Sequence, residues 1–238
     1  MRVLDLALPD LAENLALDEA LLLQAEEGAG GEVLRFWSWP RRAVVLGAGG
    51  IIAGDVDELA CAADGVPLAR RSSGGGTVLL GPGCLLFSLV LDMGRAPELA
   101  QINPSYRWIL ERVAAALADM QPGIEFAGTS DLAIAGRKFS GNSQQRKRRF
   151  LLHHGTLLHA FDLDAFGRYL KLPPRRPEYR GDRPHRDFVT NLPDDPEGIR
   201  SSLCAAWQAD KVLAEWPEEK VRQLVAEKYG TSEFIRRR

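Results

Sequence analysis

Cysteine is scarce: three residues in 238, at Cys61, Cys84 and Cys204. None forms a CxxC pair, and their spacing suits neither a zinc site nor a disulfide framework. A reducing cytoplasm is the expected setting. No apolar run approaches the roughly 20 residues of a membrane-spanning helix. The opening Met1-Arg2-Val3-Leu4-Asp5 soon turns acidic and does not read as a signal peptide. Charge of one sign is not in excess, since the net charge is -2, so there is no bulk attraction for nucleic acid. The P-loop pattern, GxxxxGK followed by Ser or Thr, is absent. Val44-Val45-Leu46-Gly47-Ala48-Gly49-Gly50 starts like a dinucleotide fingerprint, but Ile52 stands at the third glycine and the βαβ rhythm is missing. That stretch reads as a strand end and its turn. His159 and His185 make no metal-ligand spacing with His153-His154.

What is present suits one large domain: 45% hydrophobic and 26% charged residues supply a sizeable core. Strands are expected at residues 3–8, 33–37, 43–46, 67–71, 77–80, 85–91, 131–135, 138–143 and 150–158. Pro40-Arg41-Arg42 suggests a hairpin turn between the second and third of these. Helices are expected at residues 14–27, 55–63, 106–120, 161–170, 197–213 and 218–228. Residues 171–187 form a Pro- and Arg-rich loop. Strands and helices alternate without a regular βα beat. The fold class is therefore α+β, with a mixed or antiparallel central sheet flanked by helices. Residues 1–192 are read as the catalytic domain and 193–238 as its C-terminal helical extension.

Two segments carry the chemistry. Arg70-Arg71-Ser72-Ser73-Gly74-Gly75-Gly76-Thr77 joins two guanidinium groups to three consecutive glycines. Such a loop is either a plain tight turn or a nest of backbone N–H groups for an anion. Gly136-Arg137-Lys138-Phe139-Ser140-Gly141 presents one lysine between glycines. On a strand, Lys138, Ser140 and Asn142 would share one face, where a fixed lysine could stabilise charge on a carbonyl or phosphoryl oxygen. Of His153 and His154, adjacent on a strand, only one can face a site. Cys84 reads as a buried small hydrophobe or as an acyl-accepting thiol. The basic runs Arg146-Lys147-Arg148-Arg149 and Arg175, Arg176, Arg180, Arg183, Arg186 read as solvated faces, or as attractors of ATP or an acidic partner near the site.

The chain resembles lipoate–protein ligase A, in the group that also holds biotin ligases and octanoyl transferases. The matching segments are Asn14-Leu15-Ala16-Leu17-Asp18-Glu19, Phe36-Trp37 followed by Val44-Val45-Leu46-Gly47, the glycine loop with Val78, Thr129-Ser130-Asp131-Leu132, Lys138, His153-His154-Gly155-Thr156-Leu157-Leu158 and Phe188-Val189-Thr190-Asn191-Leu192. The resemblance implies ATP and Mg²⁺ as cofactors, with lipoate or octanoate as the acid. Lipoate would become lipoyl-AMP and then acylate a lysine of a lipoyl carrier protein. Arg71, Ser73, Gly74, Gly75, Gly76, Thr77, Val78, Leu79, Asp131 and Lys138 would hold the acyl-adenylate, with Lys138 catalytic and Asp131 on the metal. Trp37, Gly76, His154, Gly155 and Thr156 would line the acyl pocket; ordinary core packing is the other reading of Trp37. Neither nucleic acid nor a membrane is an expected partner. Three departures stand out. Leu79-Leu80 replaces the family's aromatic-His pair, and Gly81-Pro82-Gly83 is similar to the octanoyl-transferase branch. The cysteine of the cysteine-dependent transferases is missing before Asp131 and after Lys138. Only about 45 residues follow Leu192, so a separate accessory subunit is a further expected partner. An acyl transferase using a carrier-bound or preformed activated acyl group, and an inactive carrier-binding module, stay open beside the ligase.

Overall fold

Asp10 starts the first helix, α1 (Leu11–Glu26), with a capping box: its side chain accepts from the Ala12 N–H while Glu13 reaches back to the Asp10 N–H. The expected start at residue 14 overlooked that cap. The computed structural model describes residues 1–173 and 176–237. Its strands are β1 (Arg2–Asp5), β2 (Val33–Ser38), β3 (Ala43–Leu46), β4 (Leu68–Arg70), β5 (Val78–Leu80), β6 (Cys84–Asp92), β7 (Ile124–Ala127), β8 (Asp131–Ile134), β9 (Arg137–Arg146), β10 (Phe150–Leu158) and β11 (Lys211–Val212). After α1 the helices are α2 (Ile52–Asp55), α3 (Glu58–Ala63), α4 (Ile102–Leu117), α5 (Ala165–Tyr169), α6 (His185–Phe188), α7 (Pro196–Trp207), α8 (Glu218–Leu224) and α9 (Ser232–Ile235), with a π turn at Val225–Tyr229.

The class is α+β, as expected. An eight-stranded mixed sheet runs β11-β1-β2-β6-β10-β9-β8-β7, and a three-stranded sheet runs β4-β3-β5. Strand β1 is parallel to β2 and β11, and the remaining neighbours in the large sheet are antiparallel. Both faces of the large sheet are covered. Trp37, Leu86, Val90 and Leu152 join one core with α1 and the small sheet; Phe36, Phe87, Leu89 and Leu151 join the other with α4 and α7. Double burial explains the near-continuous apolar run of β6.

Several expectations change. Strands β2 and β3 form no hairpin. Strand β2 has both edges occupied by β1 and β6, so the chain crosses through Trp39 and Pro40 and β3 pairs in the small sheet. The helix expected at 55–63 divides, because Asp57 caps α3 by accepting from the Ala60 N–H. The helix expected at 197–213 ends at Trp207, where Gln208 turns left-handed at φ 51, and Lys211–Val212 adds an edge strand instead. Residues 161–170 are helical only at Ala165–Tyr169. Within the Pro- and Arg-rich loop, Glu178–Arg180 and His185–Phe188 form short turns of helix. Arg175 lies outside the described residues.

Candidate active site

The glycine loop runs from β4 to β5 and is folded around Arg71. The guanidinium donates to Ser73 Oγ at 3.0 Å, to the carbonyls of Gly74 and Gly76 at 2.6 and 2.8 Å, and to Val45 at 3.4 Å. Burial lowers the Arg71 pKa to about 10. Gly75 sits at φ +82, and a Cβ there would also lie 3.0 Å from the guanidinium. Ser143 Oγ donates to the Gly74 carbonyl at 2.8 Å. The loop's carbonyls thus turn inward. No acceptor among the described residues takes the N–H of Gly74, Gly75 or Gly76, which leaves these donors for an anion.

The two histidines diverge, as strand alternation requires. His153 packs between the rings of Phe87 and Tyr106, and burial, then the neighbouring His154, lowers its pKa to about 3. His154 reaches the cavity. Its Nδ1 lies 3.2 Å from Asp18 Oδ2 and its Nε2 lies 2.6 Å from Ser73 Oγ. Asp18 is buried, which works against its charge, but Arg35 at 2.6 Å, His154 and Ser88 hold its carboxyl below the usual range. An ionised Asp18 accepts from Nδ1, which holds the ring with Nε2 against the Ser73 hydroxyl. Helix α1 thereby fixes the glycine loop through a histidine.

Lys138 Nζ lies 2.7 Å from Asp131 Oδ1, and Asp131 Oδ2 accepts from the Tyr179 hydroxyl at 2.8 Å. Burial and then Asp131 push the Tyr179 phenol well above its ordinary pKa, so it stays a donor. The expected common face of Lys138, Ser140 and Asn142 is formed only in part: Asn142 lines the inner cavity with Lys138 and donates to Ser140 Oγ at 3.0 Å, but Ser140 lines neither cavity. The β8–β9 pairing shifts register between Leu132↔Ser140 and Ala133↔Lys138, leaving Phe139 as a bulge. Ser140 is buried away from the cavity, while Lys138 curls over Gly141, where a Cβ would sit 2.7 Å from Nζ.

Two cavities meet at this lysine. The inner one has apolar walls from Leu15, Trp37, Val45, Leu80, Leu86 and Phe87. The outer one carries Lys171, Arg176, Arg180 and His185 beside Phe166 and Phe188. Gly76, Thr77, Val78, Asp131, Lys138 and Thr156 line both. Trp37, Arg71, Gly75, His154 and Gly155 line the inner cavity, and Leu79 the outer. Trp37 satisfies both readings, being a core residue that also forms the wall. Ser73 and Gly74 line neither cavity; Ser73 is buried and Gly74 is exposed beside them. Asp18, Ser130 and Ser143 are wall residues that had no role in the sequence reading; Asp18 left a trace as a polar residue one turn after Asn14 on the buried face of α1. Among the described residues no thiol lines either cavity. Cys84 is buried behind the wall, and burial pushes its pKa up to about 12. The run Arg146–Arg149 is not at the site: Arg149 pairs with Asp92, and Arg148 and Arg149 border a separate groove with Gly28 and Gly31. No group of three or more His, Cys, Asp or Glu side chains among the described residues could hold a metal ion. No helix among them is long and apolar enough to cross a membrane.

Residues 10–198 match the lipoyl protein ligase A/B catalytic domain. The chain belongs to that family. It is thus an enzyme of the lipoate ligase and octanoyltransferase group. It is 29% identical over 255 residues to octanoyltransferase LipM of Carboxydothermus hydrogenoformans, covering 94% of each chain. It is also 29% identical to a probable lipoate-protein ligase A of Mycoplasma pneumoniae over 75% of this chain, but over 51% of that longer protein. Among solved structures, the lipoate protein ligase of Thermoplasma acidophilum, described as bi-partite and studied with its E2 lipoyl domain, superposes with a TM-score of 0.84 at 26% identity, over 99% of this chain and 95% of that one. A lipoate-protein ligase A bound with ATP superposes at 0.82, with 26% identity and coverage of 99% and 98%.

Proposed function

We propose that the chain is an ATP-dependent lipoate–protein ligase. One observation carries the proposal. Lys138 stands where an apolar cavity meets a basic one, and no thiol lines either wall among the described residues. An apolar tunnel ending at a basic junction suits an acid with a hydrocarbon tail meeting a polyphosphate. A thioester route would need a cysteine there.

In the first step a lipoate carboxylate oxygen attacks the α-phosphorus of ATP. The phosphoanhydride bond breaks and pyrophosphate leaves. In the second, the neutral amine of a carrier lysine attacks the acyl carbonyl, an amide forms, and AMP leaves. Lys138 would donate to the oxygens that gain charge in both steps. The unpaired N–H groups of Gly74, Gly75 and Gly76 would hold the phosphate. Arg71, on the wall of the inner cavity, holds the Gly74 and Gly76 carbonyls inward. Trp37, His154, Gly155 and Thr156 would bound the acyl chain. Mg²⁺ fits as an ion carried in on the ATP phosphates, to which Asp131 would offer one carboxylate beside its bonds to Lys138 and Tyr179. Residues 1–192 would form the catalytic domain, with 193–238 as its extension. The partner would be a lipoyl domain or a glycine-cleavage H-like protein. A separate accessory subunit is the second partner proposed, in line with the bi-partite Thermoplasma acidophilum enzyme.

A second reading is an octanoyl or lipoyl transferase, favoured by the end-to-end match with an octanoyltransferase. The deciding assay mixes the protein, Mg-ATP, lipoate or octanoate, and an apo lipoyl domain, with intact mass as the readout. Acylation that requires ATP and a free acid supports the ligase. Acylation from an acyl carrier without ATP overturns it in favour of the transferase. Carrier binding with no acylation from any donor leaves only a binding module.

A further inference from the structure

The C-terminal segment is joined to the glycine loop by buried polar contacts that the proposed chemistry does not use. Glu19, on α1, is 4% exposed. One of its oxygens accepts from Lys228 Nζ at 2.6 Å and from the Tyr229 hydroxyl at 2.8 Å; the other accepts from Gln145 Nε2 at 2.8 Å. Gln145 Oε1 in turn accepts the Ser72 hydroxyl. Lys228 and Tyr229 belong to the π turn, the single segment of that geometry among the described residues. Tyr229 is held edge-on against Phe234, on α9. A second route starts beyond that helix. Arg70, the residue before the loop, donates through Nε to the Ile235 carbonyl at 2.9 Å, and through Nη1 to Gly47 and Gly50 at 2.9 and 2.8 Å. Arg237 donates to the Ala48 carbonyl, and the Ala48 N–H donates to Ser73 at 2.8 Å.

Asp18 and Glu19 are consecutive on α1, and Ser72 and Ser73 are consecutive on the loop. Each acid reaches one serine through one intermediary side chain: Asp18 through His154, Glu19 through Gln145. The Asp18 route belongs to the cavity wall. The Glu19 route lies outside it and ends on the C-terminal segment. A carboxylate that is 4% exposed and carries three donors has a fixed position, and so do its partners. The donors from residues 228 and 229 therefore decide where Gln145, Ser72 and the start of the loop rest.

We propose that Lys228 and Tyr229 are positioning residues: the C-terminal segment clasps the glycine loop through Glu19, Gln145 and Ser72 and sets it for the nucleotide. This rests on the ligase reading for the identity of the ligand. The test uses the full-length protein as wild type, Tyr229→Phe, Ser72→Ala and the double variant. Lipoate-dependent ATP–pyrophosphate exchange gives KM for ATP, KM for lipoate and kcat, and hydrogen exchange without any substrate follows the two hydrogen-bonded amides that tie the loop down, Ala48 N–H to the Ser73 carbonyl and Arg71 N–H to the Leu46 carbonyl. The expected result is a rise of about three- to tenfold in KM for ATP in each single variant, from loss of one buried hydrogen bond. Turnover and the lipoate KM stay within about twofold. The double variant is no worse than the poorer single, because both cuts sever one chain. The amides of Ala48 and Arg71 exchange faster in Tyr229→Phe while those of β6 do not. An unchanged KM for ATP, multiplying effects in the double variant, or unaltered exchange at Ala48 and Arg71 overturns the clasp. So does a parallel rise in both KM values with a lowered Tm. If wild type alone shows no pyrophosphate exchange, adenylation by this chain without an accessory subunit is refuted and hydrogen exchange alone decides the clasp.

Discussion

The ammonium of Lys138 lies 2.7 Å from Oδ1 of Asp131, across the bulge between β8 and β9. The pair is one-sided in its consequences. Asp131 keeps a second partner, Tyr179, at 2.8 Å, whereas Lys138 has its terminus at the cavity junction. Lys138→Ala is therefore expected to lower kcat for adenylate formation on the order of 10²- to 10³-fold, the usual effect of removing one donor to developing charge. Stability should change by about 1 kcal/mol or less, as suits a part-exposed pair. Pyrophosphate exchange and urea melts measure the two. Unchanged turnover would remove the role given to this lysine.

Gly141→Ala is a gentler way to displace the same group. A Cβ at 141 would sit 2.7 Å from Nζ and 2.8 Å from Cε of Lys138, the far end of a flexible side chain. The lysine would yield before the backbone does. The variant should fold normally and lose about tenfold or more in kcat, since a shift near 1 Å at a catalytic group is costly. A crystal structure of Gly141→Ala with Lys138 in place, or full activity, would refute this account of the glycine.

Much of this site was readable as residue types in order, and less of it as geometry. The glycine loop, Lys138, Asp131 and the His-Gly-Thr strand are local in sequence, and the cavity does gather them. The face shared by Lys138 and Ser140 was misjudged because alternation assumes an unbroken strand, and the bulge at Phe139 answers to strand pairing, which is nonlocal. Arg71 was read as a phosphate ligand from its charge. Its role under the loop depends on the direction of the Gly74 and Gly76 carbonyls, which no residue type reveals. The hairpin of β2 and β3 failed for a similar reason, as β1 and β6 compete for the edges of β2.

A variant with Cys61, Cys84 and Cys204 all changed to alanine separates the acyl-adenylate route from a thioester route. Cys61 and Cys84 are buried, and burial raises the pKa of every one of the three thiols, which disfavours the thiolate. The triple variant should retain kcat/KM within about threefold. Its main cost would be in packing, on the order of 1 kcal/mol for each buried sulfur removed. Loss of acyl transfer on Cys84→Ala alone, in a protein of unchanged Tm, would restore the transferase reading.

His153 gives the fold a pH dependence of predictable sign. Its pKa falls from 6.5 to about 3, through burial and then His154, so the native state holds it neutral in the range where the unfolded chain takes a proton. A depressed histidine contributes its full stability above the unfolded value. That contribution drains away as pH falls from about 6.5 towards 3, because the unfolded state then binds the extra proton. At pH 5 the loss from this one group is about 2 kcal/mol relative to pH 7. His153→Gln removes the titration while keeping a polar group near Asn142 and Gln144, its present neighbours at 3.3 Å. The variant should be less stable than wild type at pH 7, yet lose about 2 kcal/mol less on going to pH 5. Urea melts of both proteins at the two pH values give the difference, and equal pH slopes would mean that His153 is not held neutral by its burial.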